Sequence, residues 1–173
     1  MQQPSRRRDV KRTNFGKSNG TQLRLHSDQV EAEVAQRVQV LLDKLNNHTA
    51  VVGIVGLGYV GLPFAVEKAK VGFKVLGIEQ NVERAERVNR GDNYIPDIKD
   101  EELRDLVQRG LLEAVTDYTQ VPEMDVIVIA VPTPLTKNLN PDLQFVENVT
   151  RELAKVLRPG QLISLESDRK SVV

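Results

Sequence analysis

Three glycines and one acidic residue form the clearest chemical pattern in this sequence. Gly56, Gly58 and Gly61 stand in the order G-x-G-x-x-G, and Glu79 follows them at about the 20-residue spacing of a ribose-binding carboxylate. In this pattern the first glycine permits a tight turn, the second lets the backbone approach a pyrophosphate, and the third lets a helix pack closely on a strand. The residue types and their spacing therefore predict a dinucleotide site.

Such a site needs a strand before the glycine loop and a helix after it. Val51–Val55 is a continuous apolar run, which is typical of a strand buried on both faces of a parallel sheet. Pro63 falls in the first helical turn, where its missing N–H costs nothing, and Gly72 is a plausible end of that helix. The start of the helix would offer free N–H groups and the positive end of its dipole to phosphates.

The rest of the chain alternates between predicted strands and helices. Strands are predicted at residues 74–79, 111–115, 125–131 and 161–165, and helices at 82–90, at 100–109 and from Pro141 onward. An earlier helix, capped by Ser27 or Asp28, carries an apolar stripe that we expect to pack on the outside of the following domain. Its members are Val30, Val34, Val38, Leu41, Leu42 and Leu45. The fold class predicted is α/β, a Rossmann-like doubly wound parallel sheet preceded by an amphipathic helix.

Glu79 favours NAD over NADP. A carboxylate accepts hydrogen bonds from both ribose hydroxyls but repels a 2′-phosphate, and neither Gln80 nor Asn81 is cationic. Arg84 is cationic and keeps NADP open as an alternative. We interpret Arg84 instead as a residue that flanks the adenine or lies on the helix surface. Two simpler interpretations stay open here: Glu79 as a solvent-facing acid at a strand end, and the glycine loop as a tight turn only.

A second loop follows the predicted strand at 125–131. Pro132 and Pro134 would hold it in a fixed shape, and Thr133 offers a hydroxyl at the carboxyl edge of the sheet, where ligands collect in this architecture. Glu166 ends the last predicted strand at the same edge and could also face a cofactor. The alternative is that the loop simply ends a strand.

The domain organisation is predicted from changes in composition. Residues 1–26 form a disordered basic arm, with seven bases against one acid over residues 1–24, and residues 27–49 form the leading helix and a linker. The nucleotide-binding domain covers 50–167. The arm contains a single aromatic residue, Phe15, so we expect it to be solvated, with no nucleic-acid or membrane partner.

The composition also excludes several kinds of site. The chain has no cysteine, so it offers neither a disulfide, a thiolate metal site nor a cysteine nucleophile, and only two histidines are present. We therefore predict no metal site in this chain. No apolar run approaches the length of a membrane span and no signal peptide is evident, so the predicted location is cytoplasmic.

Four segments together resemble a known family. G-L-G-Y-V-G-L-P at 56–63, N-Y-I-P-D-I at 93–98, V-P-T-P-L-T-K at 131–137 and L-I-S-L-E-S at 162–167 are similar to the N-terminal domain of nucleotide-sugar 6-dehydrogenases. This is the UDP-glucose/GDP-mannose dehydrogenase family, and the 93–98 and 131–137 segments look closest to its UDP-N-acetylglucosamine and -galactosamine branch. The similarity runs from about residue 28 to residue 167.

The resemblance implies an NAD-dependent, four-electron oxidation of the C6 hydroxymethyl group of a UDP-sugar to a carboxylate, through a thioester on an enzyme cysteine. It implies a homo-oligomeric complete enzyme. It also implies that Glu166 lies beside the nicotinamide end of the cofactor. The other residues implied to hold NAD are Gly56, Leu57, Gly58, Tyr59, Val60, Gly61, Glu79, Arg84, Pro132 and Thr133.

The chain departs from the family at its end. The family's cysteine, and the lysine, asparagine and aspartate that serve it, lie beyond the first domain, so the resemblance implies that this chain has no catalytic residue and is inactive alone. The family continues with T-T-x-P-G-T-T, whereas residues 168–173 read D-R-K-S-V-V. We interpret that tail as non-native, since a common sequencing adapter would translate to it.

Two other functions stay open on the sequence alone. The chain could be the NAD-binding half of another Rossmann dehydrogenase, of the 3-hydroxyacyl or 6-phosphogluconate type, because a fold does not fix a function. It could also be a non-enzymatic binding module whose basic arm contacts nucleic acid.

Overall fold

The computed structural model describes residues 18–138 and 140–166, with side chains from residue 29 onward. Most of the predicted basic arm, over 1–17, and the predicted non-native tail at 168–173 lie outside the described residues. The chain divides into two compact units, the first ending at Gln36 and the second beginning at Arg37. The second unit carries the sheet.

Five parallel strands form one sheet. They are β1 (Val51–Val55), β2 (Lys74–Ile78), β3 (Leu112–Val115), β4 (Val126–Ile129) and β5 (Leu162–Leu165). Their spatial order is β3-β2-β1-β4-β5, so the chain winds outward in one direction from β1 and then in the other. This confirms the predicted doubly wound α/β fold. The order reverses between β1 and β4, and ligands bind outside the carboxyl ends of the strands at such a point.

The helices are α1 (Ser18–Asn46), α2 (Gly61–Lys70), α3 (Val82–Arg90), α4 (Asp100–Gln108) and α5 (Gln144–Leu153), with a 3-10 turn at Val121–Glu123. Alternate strand residues feed two separate cores, as expected when successive side chains point to opposite faces. Ile54 and Val75 pack with α2, α3 and α4 in the first core. Leu76 and Ile127 pack with the 3-10 turn and α5 in the second core.

Two helix starts differ from the sequence prediction. Helix α1 begins at Ser18 rather than at Ser27, so the predicted disordered arm is wrong for residues 18–26. No proline interrupts that stretch, and a helix extends cheaply once it is nucleated. Helix α5 begins at Gln144 rather than at Pro141, because Pro141 bridges to Leu135 and the Asp142 N–H donates to the Pro134 carbonyl at 2.7 Å.

Within the second unit, the apolar stripe of α1 is only partly buried. Val38 and Leu42 are 51% and 46% exposed, whereas Leu41 and Leu45 are partly covered. Periodicity finds an apolar stripe but does not say what covers it. Within the described part of the chain, no helix combines the length and the apolarity needed to cross a membrane.

Asp125 connects three segments of the chain at the amino edge of the sheet. It is 4% exposed at the start of β4, and its carboxylate accepts from Lys44 Nζ at 2.7 Å, from Arg158 Nη2 at 2.9 Å and from the Val51 N–H at 3.0 Å. Burial opposes ionisation of Asp125, but these hydrogen bonds outweigh it and lower the pKa of the carboxyl below its usual range. The end of α1, the start of β1 and the turn before β5 therefore meet at one charged group.

Candidate functional site

Strand register brings the predicted site residues to one edge of the sheet. Val55 pairs with Ile78 on one side and with Ile129 on the other. The ladder continues one residue further: the Gly56 N–H donates to the Ile78 carbonyl at 2.8 Å, and the Ala130 N–H donates to the Val55 carbonyl at 2.8 Å. The glycine loop, the end of β2 and the segment after β4 consequently emerge side by side.

A cavity of about 540 Å³ opens at this edge. Its walls come from the glycine loop, the end of β2, the segment after β4 and the first turns of α5. Eight of the eleven residues predicted to hold a cofactor line it: Gly56, Gly58, Tyr59, Val60, Glu79, Arg84, Pro132 and Glu166. Residues predicted from widely separated segments thus face one volume.

The three glycines meet three different steric demands. Gly56 has a φ of 93°, a conformation that other residues rarely adopt. A Cβ on Gly61 would lie 1.7 Å from the Gly56 carbonyl oxygen, whereas a Cβ on Gly58 would meet nothing within 4 Å. Gly61 is therefore needed for the fold, while the space at Gly58 is open toward a ligand.

Glu79 ties the glycine loop to the start of α3. The residue is 8% exposed, and its Oε2 accepts from the Leu57 N–H at 3.1 Å while its Oε1 accepts from the Asn81 N–H at 3.0 Å. Each carboxylate oxygen keeps a second acceptor site. Glu79 can therefore hold the loop and still accept from ligand hydroxyls at the cavity wall.

Three predicted residues do not line the cavity. Leu57 is fully buried, and its side chain packs against Gly77. A Cβ added to Gly77 would lie 2.6 Å from Leu57 Cδ1. Gly61 is buried at the start of α2, and Thr133 is half-buried in the segment after β4. Leu57 and Gly61 nonetheless belong to the loop backbone, so their contribution is to its shape.

Tyr94 also contacts the glycine loop. Its hydroxyl donates to the Leu57 carbonyl at 2.6 Å, and its ring lies under the guanidinium groups of Arg84 and Arg87 at 5.9 and 5.3 Å. Burial, together with the nearby Glu79 carboxylate, raises the pKa of Tyr94 to about 12, so the hydroxyl stays a proton donor. A smaller cavity of about 220 Å³ lies beside these residues.

Sequence reasoning missed the far wall of the larger cavity. Tyr118, Phe145 and Asn148 line it, from the segment after β3 and the first turns of α5. The Tyr118 hydroxyl is buried without a hydrogen-bond partner among the described residues. Burial raises the pKa of Tyr118, and the Gln80 side chain opposes that rise without reaching hydrogen-bond geometry. The position of Tyr118 after a strand was an available signal, whereas Phe145 and Asn148 carried none.

The cavity fits a dinucleotide. The glycine loop matches a pyrophosphate, and the Glu79 carboxylate beside it matches a ribose. The longer apolar wall, which includes Phe145 and carries the amide group of Asn148, matches a flat base. Helix α2 begins without a side-chain cap. In its first turn the Leu62 N–H donates to the Gly58 carbonyl at 3.0 Å and Pro63 has no N–H, so the backbone N–H that this turn can offer an anion is that of Gly61. No group of three or more metal-ligating side chains occurs among the residues that the structure describes.

Comparison with known proteins points the same way. Residues 50–170 match the family model for the NAD binding domain of the UDP-glucose/GDP-mannose dehydrogenase family. The UDP-N-acetyl-D-mannosamine dehydrogenase of Yersinia pestis is 40% identical over 118 residues, which cover 67% of this chain and 27% of that protein. The NDP-N-acetyl-D-galactosaminuronic acid dehydrogenase of Ralstonia nicotianae is 40% identical over 119 residues, with the same coverage.

Solved structures show the same relationship. The UDP-D-ManNAc dehydrogenase of Pyrococcus horikoshii matches with a TM-score of 0.63 at 33% identity, over 68% of this chain and 28% of that one. GDP-mannose dehydrogenase from Pseudomonas aeruginosa matches with a TM-score of 0.61 at 29% identity, over 67% of this chain and 28% of that one. This chain thus spans little more than a quarter of the length of these relatives.

Proposed function

Because the chain belongs to the UDP-glucose/GDP-mannose dehydrogenase family and carries its NAD-binding domain, we propose that NAD binds in the cavity of about 540 Å³. The pyrophosphate lies against the loop at 56–61, the adenosine ribose lies against Glu79, and the nicotinamide end lies toward Glu166. Bound NAD supplies a hydride acceptor.

The observation that carries this proposal is the position of the Glu79 carboxylate. It is fixed by the Leu57 N–H at 3.1 Å, directly beside the glycine loop, and it borders the cavity. A carboxylate in that position accepts from the ribose hydroxyls and repels a 2′-phosphate, which supports NAD over NADP.

We propose further that the whole protein oxidises the C6 hydroxymethyl group of a UDP-N-acetylhexosamine to a carboxylate. The change from alcohol to carboxylate removes four electrons, so it consumes two NAD and one water and releases two NADH and three protons. The names of the two relatives above, both dehydrogenases of N-acetylated hexosamine derivatives, support this substrate class.

We also propose that the whole protein is a homo-oligomer, as its resemblance to the family implies, and that it works in the cytoplasm. Light scattering on the purified whole protein tests the first point, and fractionation of cells that express it tests the second. A monomer, or a protein recovered outside the cytoplasm, would count against the respective proposal.

Calorimetric titration with NAD tests the site. We expect the 173-residue chain to bind NAD and the Gly58→Asp variant to lose that binding, because the added carboxylate would stand in the open space at the loop and repel the pyrophosphate. Gln108→Asp adds the same charge at the exposed end of α4 and should bind like the unsubstituted chain. Equal heats from Gly58→Asp and the unsubstituted chain would refute the assignment.

An activity assay tests whether oxidation of the sugar needs residues that this chain does not contain. The chain has no cysteine, so it cannot form the thioester that the resemblance implies. Incubation with NAD and UDP-N-acetylhexosamines should yield no uronic acid, and clear turnover would show that the chemistry does not depend on a cysteine.

A further inference from the structure

The peptide unit that joins Leu57 to Gly58 is held from outside the glycine loop. Its carbonyl oxygen accepts from the Tyr94 hydroxyl at 2.6 Å, and the Leu57 N–H one unit earlier donates to Glu79 Oε2 at 3.1 Å. Residue 57 is thus clamped between two side chains, which come from 22 and 37 residues away in the sequence.

Tyr94 sits on a rigid support. The side chain of Asn93 accepts from the Ile95 N–H at 2.8 Å and donates to the carbonyl oxygens of Ile95 and Ile98. Ile95 and Ile98 are buried in the first core, and Arg87 Nη2 donates to the Asn93 carbonyl at 2.7 Å. The segment at 93–98 therefore presents the Tyr94 hydroxyl at a fixed position.

Because the Leu57–Gly58 peptide is trans, a fixed carbonyl also fixes the direction of the N–H in the same unit. All peptide bonds of the described chain are trans, so the carbonyl and the N–H of one unit point in opposite directions. Because the Leu57 carbonyl points to Tyr94, the N–H of Gly58 points away from Tyr94. Gly58 borders the larger cavity, and the space around it is open.

We propose that Tyr94 is a positioning residue for NAD, which orients the Leu57–Gly58 peptide so that the Gly58 N–H donates to the pyrophosphate. This inference rests on the proposed function. Tyr94 itself does not line the larger cavity; it acts through the loop backbone. Preorganised backbone donors bind an anion without a reorganisation cost at the moment of binding.

The test compares ligands with and without a pyrophosphate on the full chain. Tyr94→Phe removes only the hydroxyl and should weaken ADP-ribose and NAD about 3- to 10-fold in titration calorimetry, the range of one ordinary hydrogen bond. Adenosine, which has no phosphate, should bind Tyr94→Phe and the unsubstituted chain equally. The control is Phe73→Leu, which removes ring packing directly before the start of β2, far along the strand from Glu79. It should leave all three affinities unchanged.

Each other outcome is decisive. Failure of the unsubstituted chain to bind NAD would overturn the proposed function and this inference with it. Full affinity of Tyr94→Phe for ADP-ribose, or an equal loss for adenosine, would overturn this inference alone.

A second measurement does not depend on a variant that folds. In the unsubstituted chain, saturation with ADP-ribose should shift the amide proton resonance of Gly58, and saturation with adenosine should not. An unmoved Gly58 amide at saturating ADP-ribose would also overturn the inference.

Discussion

Glu79 and Leu57 are joined by a hydrogen bond from a backbone N–H to a carboxylate, at 3.1 Å across 22 residues. The bond connects the end of β2 to the middle of the glycine loop. Glu79 is therefore a support of the loop as well as a candidate ribose ligand, and the two roles use different lone pairs of one buried carboxylate. A change at Glu79 should alter both the loop and the choice of cofactor.

The first prediction concerns Glu79→Gln. The amide nitrogen cannot accept from a backbone N–H, so either Leu57 or Asn81 loses its acceptor, and the negative charge is removed. We expect NAD affinity to fall about 10-fold and the preference for NAD over NADP to narrow. Calorimetry with both cofactors measures this, with Glu113→Gln on the exposed side of β3 as the control. An unchanged preference would show that Glu79 does not face the ribose.

The second prediction separates two glycines of the loop. In Gly61→Ala the new Cβ would clash with the Gly56 carbonyl oxygen, so we expect a loss of at least about 3 kcal/mol in unfolding free energy. Gly58→Ala meets open space and should unfold within about 0.5 kcal/mol of the unsubstituted chain. It should nevertheless bind NAD more weakly, because the methyl group keeps the pyrophosphate away from the backbone. Denaturant unfolding and calorimetry together measure this, and equal stability of the two variants would contradict it.

The third prediction is a pH dependence at Asp125. The pKa of this carboxyl is lowered in the folded state, so its contribution to stability is present above the unfolded pKa of about 3.9 and is lost as the pH falls through the folded pKa. At pH 7 we expect Asp125→Asn to lower the unfolding free energy by about 1–3 kcal/mol.

That difference should shrink when unfolding is measured below about pH 4. Asp105→Asn breaks an exposed pair with Arg109 and should change stability by less than about 1 kcal/mol at either pH. A deficit for Asp125→Asn that stays constant with pH would show that the carboxylate charge is not its cause.

The fourth prediction contrasts two tyrosine hydroxyls. The Tyr118 hydroxyl is buried without a partner among the described residues, so Tyr118→Phe should keep or raise the unfolding free energy, by up to about 1 kcal/mol. The Tyr94 hydroxyl is bonded to Leu57, so Tyr94→Phe should lose about 0.5–1.5 kcal/mol. Thermal unfolding of both variants checks the contrast, and a larger loss at Tyr118 would mean that its hydroxyl is paired in solution.

Local sequence patterns predicted those strands and helices whose bounds are set by residues within or next to the element itself. Strand β1 occupies Val51–Val55 as predicted, and α3 runs over Val82–Arg90 with Gly91 ending it at a φ of 74°. The prediction failed at α5, where proline at a first helical position was a plausible start, but the Asp142 N–H donates to the Pro134 carbonyl and the helix begins only at Gln144. That closure is a contact between segments, which no local rule contains.

The sequence by itself determined the glycine spacing, the carboxylate that follows it and the alternation of strands and helices, because these depend on backbone sterics and on periodicity along the chain. The tertiary structure alone decided that Tyr94 and Glu79 clamp Leu57, that Tyr118 and Phe145 wall the cavity, and that Asp125 gathers Lys44 and Arg158. Those partners are distant in sequence and become neighbours only through the strand order β3-β2-β1-β4-β5. Their contacts follow from topology and side-chain reach, and a pattern read along one segment carries neither.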